Sequence, residues 1–292
     1  MNLHRFHCLV LLFIFYTLTS GPSQAQQNSS NVGTNKMKYP ETKALDVVDD
    51  YHGRKVADPY RWLEDTESEQ TAEWIAAENK ITQQYLQSIP ERKVMQKRLK
   101  KLWNYERFGM PSHRGKTYFY THNDGLQNQS VYYKATSLEA PREVLLNPNT
   151  LSKDGTVALA GAVASKDGKL LAYGLADGGS DWRTWKVRDV ASGKDLDDLV
   201  KWVKFSSIAW MPDGSGFFYG RYAEPQEGQE LTGTNENQRM FFHKIGDSQS
   251  KDQLILERPD HPKWGFSPAV TDDGHYLIVQ NWKGSEPKSQ IF

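Results

Sequence analysis

Among its 292 residues the sequence has a single cysteine, Cys8. Cys8 lies in an apolar N-terminal run expected to be removed, so the mature chain would carry no thiol. That excludes a disulfide framework, a cysteine-based zinc site and a cysteine nucleophile. Net charge is missing as well. Lys plus Arg and Asp plus Glu each total 36, so no long-range field favours nucleic acid or an acidic membrane surface, and neither is expected as a partner. No phosphate-cradling glycine string, His-Glu-x-x-His pair or calcium loop occurs, so no metal or cofactor is expected. The strand-to-helix elbow Gly-x-Ser-x-Gly is absent too. Its nearest look-alike, Gly178-Gly179-Ser180-Asp181-Trp182, lacks the closing glycine. It reads as a turn, with Asp181 bonding backbone amides and Trp182 packing between strands. The adjacent acids Asp49-Asp50, Glu64-Asp65, Asp197-Asp198 and Asp272-Asp273 do not face each other across a substrate and read as turns and caps. No residue is assigned a catalytic role.

The first 25 residues have the pattern of an export signal. His4 and Arg5 precede an apolar run from Cys8 to Leu18, and Ser23-Gln24-Ala25 places small residues where a signal peptidase cuts. The run is short for a bilayer span and no stop-transfer pattern follows. Cleavage before Gln26 is expected, with delivery to the periplasm or the exterior and no membrane contact afterwards. Residues 26–38 are rich in Gln, Asn, Ser and Gly, and burial there could not offset the entropy of ordering, so they read as a disordered spacer. Asn28-Ser29-Ser30 and Asn128-Gln129-Ser130 match the glycosylation sequon.

From Tyr39 the texture becomes helical. Thr66 and Glu69 have capping-box spacing, and Trp74, Ala77, Ile81 and Tyr85 recur at the period of one helical face, which predicts a helix over 67–87. Pro90 suits the first turn of a second helix with Met95, Leu99 and Leu102 as its buried stripe. Lys97, Arg98, Lys100 and Lys101 would form its solvated face.

Beyond Trp103 the period changes. Gly115 to Tyr120, Asp167 to Tyr173, Asp213 to Tyr219 and Asp273 to Val279 each read as a glycine turn followed by an apolar or aromatic strand. Glycines 115, 168, 214 and 274 fall 53, 46 and 60 residues apart, close to the period of four-stranded propeller blades. Aromatic residues at 12% supply the rings that such faces pack. There is room for roughly four blades, and Ser289-Gln290-Ile291-Phe292 looks like the beginning of a further strand. The expectation is a mainly β chain holding an incomplete β-propeller.

Asp50-Tyr51-His52-Gly53 and then Asp58-Pro59-Tyr60-Arg61-Trp62-Leu63-Glu64-Asp65 resemble the prolyl oligopeptidase family of serine peptidases. Further segments agree in order: Gly125 to Gln129, Leu146 to Asn149, Asp154 to Leu159, Gly179 to Trp182 and Val203 to Ser206. The resemblance runs from Tyr39 to the end. It implies a peptidase cleaving short peptides after proline through a serine acyl-enzyme, with an α/β-hydrolase domain capped by a seven-bladed propeller. Residues 39–104 would be the helical N-terminal arm that packs on that domain, and 105–292 the first three to four blades. The implied partners are short proline-containing peptides and a C-terminal hydrolase domain, which holds the family's catalytic Ser, Asp and His. On that reading the chain alone is inactive, and its exposed blade faces make it prone to associate.

The resemblance also implies a few substrate-contacting positions. Phe205 matches an aromatic residue lining the pocket upstream of proline, although a ring buried between blades is an equal reading of Phe205. Gly265 and Ser285 fall where the family can have a sulfur-bearing residue, and Trp282 where it can have an arginine contacting substrate. These departures bear on the pocket's preference. Two other functions compete with the peptidase: a secreted propeller that binds peptides or proteins, and a propeller hydrolase acting on carbohydrate through carboxylates converging in a central channel.

Overall fold

The computed structural model describes residues 37–292, so the expected signal, Cys8, the first sequon and nearly all of the spacer lie outside the described residues. The chain divides into two compact units, Met1–Arg92 and Lys93–Phe292. Among the described residues no helix is long and apolar enough to cross a membrane.

The first unit begins with a hairpin of β1 (Val48–Tyr51) and β2 (Arg54–Ala57). His52 and Gly53 both take positive φ, 55° and 87°, as a two-residue hairpin turn of this hand requires. The Asp50 carboxylate accepts the Gly53 N–H at 2.6 Å. Arg61 then joins the hairpin to the next turn through ion pairs with Asp49 and Asp58, which accounts for the Asp-Pro-Tyr-Arg string. Helix α1 (Glu69–Ser88) starts two residues later than the sequence spacing suggests. Its cap is Ser68, which accepts the Thr71 N–H at 3.2 Å, and not Thr66. Asp65 accepts the Glu67 N–H and the Ser68 hydroxyl, extending the preceding turn over the expected start. Trp74, Ala77 and Ile81 are half-buried, while Tyr85 is exposed.

Helix α2 (Arg92–Trp103) begins beyond Pro90, which sits in the turn before it and not in its first turn. Its apolar stripe is not buried: Met95, Leu99 and Leu102 are each at least half exposed. The helical period is correct, but no surface among the described residues covers that face. The four cationic residues are solvated as expected.

The rest of the second unit is four consecutive antiparallel sheets. The first contains β3 (Arg107–Phe108), β4 (Ser112–Arg114), β5 (Thr117–Asn123), β6 (Val131–Ala135) and β7 (Glu143–Leu146). The second runs β8 (Ala158–Ala164), β9 (Leu170–Ala176), β10 (Arg183–Asp189), β11 (Asp195–Val203). The third runs β12 (Ile208–Trp210), β13 (Gly216–Arg221), β14 (Arg239–Lys244), β15 (Gln253–Leu256). The fourth has β16 (Trp264–Val270), β17 (Leu277–Lys283) and β18 (Gln290–Ile291).

The four repeated segments become β5, β9, β13 and β17, the strands that follow the first hairpin turn of each sheet. Gly168, Gly214 and Gly274 all adopt φ 74°. The preceding aspartate accepts a backbone N–H two residues on, as Asp167 does from Lys169, Asp213 from Ser215 and Asp273 from His275.

Burial lies between successive sheets. Phe119, Tyr132 and Leu146 of the first meet Leu171 and Tyr173 of the second. Trp185 and Val200 of the second meet Trp210, Phe217 and Tyr219 of the third. Met240 of the third meets Phe266 and Val279 of the fourth. Sheets in chain order that bury ring-rich faces against one another are the blades of a propeller, here a partial one.

Because every strand reverses direction, the tight first and third turns of each sheet lie at one end, and the second turns and sheet-to-sheet connections at the other. At the tight end the Gly115 N–H donates to the Lys166 carbonyl at 2.9 Å, and the Lys166 ammonium bonds Asp272 at 2.5 Å.

Candidate functional site

The loop end is built around the connection from β11 to β12. The register of β10 against β11 shifts between the Arg183–Val203 and Trp185–Val200 pairs, a bulge that turns the end of β11. Trp202 and Phe205 take positive φ, 63° and 56°. Each such placement of a bulky residue costs about 1–3 kcal/mol and persists only where neighbours hold it.

Buried polar groups do the holding. The Gln238 carboxamide donates to the Lys204 carbonyl at 2.8 Å and accepts the Phe266 N–H at 2.5 Å, tying the connection to the fourth sheet. The Ser206 hydroxyl accepts the Gly220 N–H at 2.9 Å. The Tyr222 N–H donates to the Trp202 carbonyl at 3.1 Å. Both Gln238 and Ser206 are buried, so loss of either would leave backbone groups unsatisfied.

Phe205 is 44% exposed and so is not buried between the described blades. Its ring meets the Trp282 indole edge to face, with centroids 6.1 Å apart at 87°. Trp282 on β17 lies opposite Gly265 on β16, and a Cβ on Gly265 would stand 2.1 Å from the indole Cζ2. Gly265 and Trp282 therefore form one feature, an indole laid across a strand position that has no side chain beneath it. Ser285 lies in the exposed turn after β17. No hydrogen bond among the described residues joins it to Phe205 or Trp282.

Sequence reasoning did not find the neighbouring half of this surface. The Trp182 ring stands edge-on to Trp202 at 5.7 Å and to Tyr222 at 6.1 Å, and its Nε1–H donates to the Glu230 carbonyl at 2.6 Å. Burial pushes the Tyr222 phenol up to about 12, so it stays neutral. The Lys204 ammonium sits 4.6 Å from the Trp182 ring centroid and 5.5 Å from that of Phe205. Lys204 lies within the Val203 to Ser206 segment that carries the resemblance, but nothing in the sequence marked it as part of this surface.

In the glycine turn before Trp182, the Ser180 Oγ accepts the Trp182 N–H at 3.1 Å. Asp181 is exposed and makes no backbone bond among the described residues. The bond to a backbone amide expected of Asp181 is made by Ser180 instead.

The tight end carries a larger opening, a cleft of about 830 Å³ between the first and second sheets. Its charges are largely paired, Lys134 with Glu143 at 3.3 Å and Lys169 with Asp167 at 3.1 Å. At the same end a buried network that sequence reasoning missed joins the second and third sheets. His243 donates to Asp252 at 2.7 Å through Nδ1 and to Asp198 at 3.0 Å through Nε2. Asp198 also accepts the Gly246 N–H at 2.7 Å, and the Tyr219 hydroxyl donates to Asp252 at 2.5 Å. Asp198 is thus a buried strand residue and not the turn or cap suggested by its acidic neighbour. Burial opposes charge on His243, but the bonds to Asp252 and Asp198 outweigh it and raise its pKa above the ordinary imidazole range.

A partial propeller with an aromatic, cation-bearing surface at its loop end defines the class of this chain. The family model described as "Prolyl oligopeptidase, N-terminal beta-propeller domain" matches residues 39–292. The prolyl endopeptidase of Elizabethkingia meningoseptica is 44% identical over 246 residues, covering 84% of this chain and 35% of that protein. Prolyl oligopeptidase A of Amanita bisporigera is 34% identical over 285 residues, covering 87% of this chain and 37% of the relative. Among solved structures, prolyl oligopeptidase B from Galerina marginata, bound to a 25mer macrocyclization substrate, matches with a TM-score of 0.73 at 30% identity, covering 87% of this chain and 38% of that one. The chain belongs to the prolyl oligopeptidase family. It spans a little over a third of the length of these curated relatives.

Proposed function

We propose that this chain is the propeller-bearing part of an exported serine peptidase that hydrolyses short peptides on the carboxyl side of proline. The observation that carries this reading is the family match across residues 39–292. In the whole protein, residues 39–104 would form an arm on the hydrolase domain, which supplies the catalytic serine, histidine and acid. The exposed stripe of α2 supports that assignment, because Met95, Leu99 and Leu102 have the spacing of a buried face. Residues 105–292 would select substrates by size and present Phe205, Trp282 and Ser285 to the peptide upstream of proline. Phe205 and Trp282 offer a rigid apolar surface for a side chain, and Ser285 contributes a hydroxyl from the adjoining turn. Removal of residues 1–25 during export belongs to the same proposal.

The test compares the 292-residue chain with the whole protein on a Gly-Pro reporter peptide. Hydrolysis by the whole protein and none by this chain is the expected result. Turnover by this chain after exclusion of contaminating protease, or none by the whole protein, would overturn the reading.

A further inference from the structure

We propose that Lys204 is a specificity-determining residue which binds a carboxylate on the peptide, either an acidic side chain or a terminal carboxyl group, next to the residue that rests on Phe205. This deepens the peptidase reading and depends on it.

The geometry begins with the ammonium's surroundings. Lys204 is half-buried, its carbonyl is fixed by Gln238, and its Nζ lies between two rings, 4.6 Å from Trp182 and 5.5 Å from Phe205. Among the described residues no carboxylate pairs with it and no oxygen accepts its N–H groups. Ring faces offset part of the lost hydration of a cation, but they leave three donors without an acceptor. The connection from Tyr222 to Gln238 carries Glu224, Glu227, Glu230 and Glu236. Glu230 approaches Trp182 through its backbone carbonyl and not its carboxylate. A cation held in place, partly desolvated and without a counter-ion is ready for an anion supplied from outside.

The spacing suits a peptide. Successive Cα atoms lie about 3.8 Å apart, so a chain with one apolar side chain on Phe205 brings the substituent of its neighbouring residue within reach of an ammonium 5.5 Å from that ring. The Phe205–Trp282 pair would then select for apolar bulk and Lys204 for negative charge beside it. Trp282 cannot take the second role, because an indole offers a single N–H and no charge.

The experiment uses the whole protein and two reporters that differ only in the blocking group, succinyl-Gly-Pro with a free carboxylate and benzyloxycarbonyl-Gly-Pro with none. Replacement of Lys204 by Met is expected to lower kcat/KM for the succinyl substrate about tenfold, mainly through KM, and to change the uncharged one less than about twofold. K204R should restore the succinyl rate. Added salt should erode the wild-type preference and leave the K204M ratio flat. An equal loss on both substrates, or a wild-type ratio insensitive to salt and to K204M, would show that Lys204 only supports Trp182 and would overturn the proposal. If the wild-type protein cleaves neither reporter, the peptidase reading itself fails and the role of Lys204 fails with it.

Discussion

The two ends of the blades are built on opposite principles. At the tight end, Gly168, Gly214 and Gly274 sit where positive φ is free, aspartates satisfy the turn amides, and Lys166 reaches Asp272 on another sheet. At the loop end, Trp202 and Phe205 occupy the same backbone region with bulky side chains, and Gln238 and Ser206 keep them there. One end lowers its energy by giving each position the residue it favours. The other holds rings in a costly geometry and leaves Phe205 facing solvent. Strain confined to the end that carries the proposed binding surface is the arrangement expected where shape serves recognition more than stability.

Three substitutions would break or sharpen that contrast. The largest effect is expected from His243→Ala at the tight end, because it strands the buried carboxylates of Asp198 and Asp252. A loss of about 3–5 kcal/mol in urea unfolding is expected. The same site gives a pH signature. The pKa of His243 is raised in the folded state, so its stabilisation is complete below the ordinary value of 6.5 and is lost as pH rises through the folded value. A stability profile flat from acid to alkaline pH would contradict the charged-imidazole assignment.

Next is Gly168→Ala. The new Cβ would lie 2.4 Å from the Arg114 carbonyl oxygen at φ 74°, and a loss of about 2–3 kcal/mol is expected from backbone strain and crowding together. The smallest effect, and one of opposite sign, is expected at the loop end. Phe205→Gly relieves the left-handed strain and should leave stability unchanged or improved by about 1 kcal/mol. In the whole protein it should raise KM for a Gly-Pro reporter about fivefold. Marked destabilisation by F205G would mean that the ring is structural and would erase the difference between the ends.

The same division decides what could be read before the structure was known. The glycine turns, three of them Asp-Gly, and the strands after them are local chemistry, so β5, β9, β13 and β17 were legible from four short strings. Helix α1 was legible from its period, but its first residue depended on whether Ser68 or Thr66 captured a free amide, a choice settled by Asp65. The stripe of α2 was read as buried because period reports a face and not what covers it. Phe205 was picked out by resemblance, yet its exposure follows from Gln238, more than thirty residues away. Trp182 and Lys204 come together only through the bulge in β11. The bonds of His243 to Asp198 and Asp252 have no sequence pattern at all, because one carboxylate comes from β11 of the neighbouring sheet and the other from the turn just before β15.

The indole of Trp282 fills the space where a side chain on residue 265 would otherwise stand. Each position therefore sets the size limit of the other, and a relative that carries a bulky group at 265 must place something slimmer or differently aimed at 282. If these residues line the proposed pocket, its preference is set by the pair, and a single substitution at either position would yield a clash or a gap instead of a new specificity.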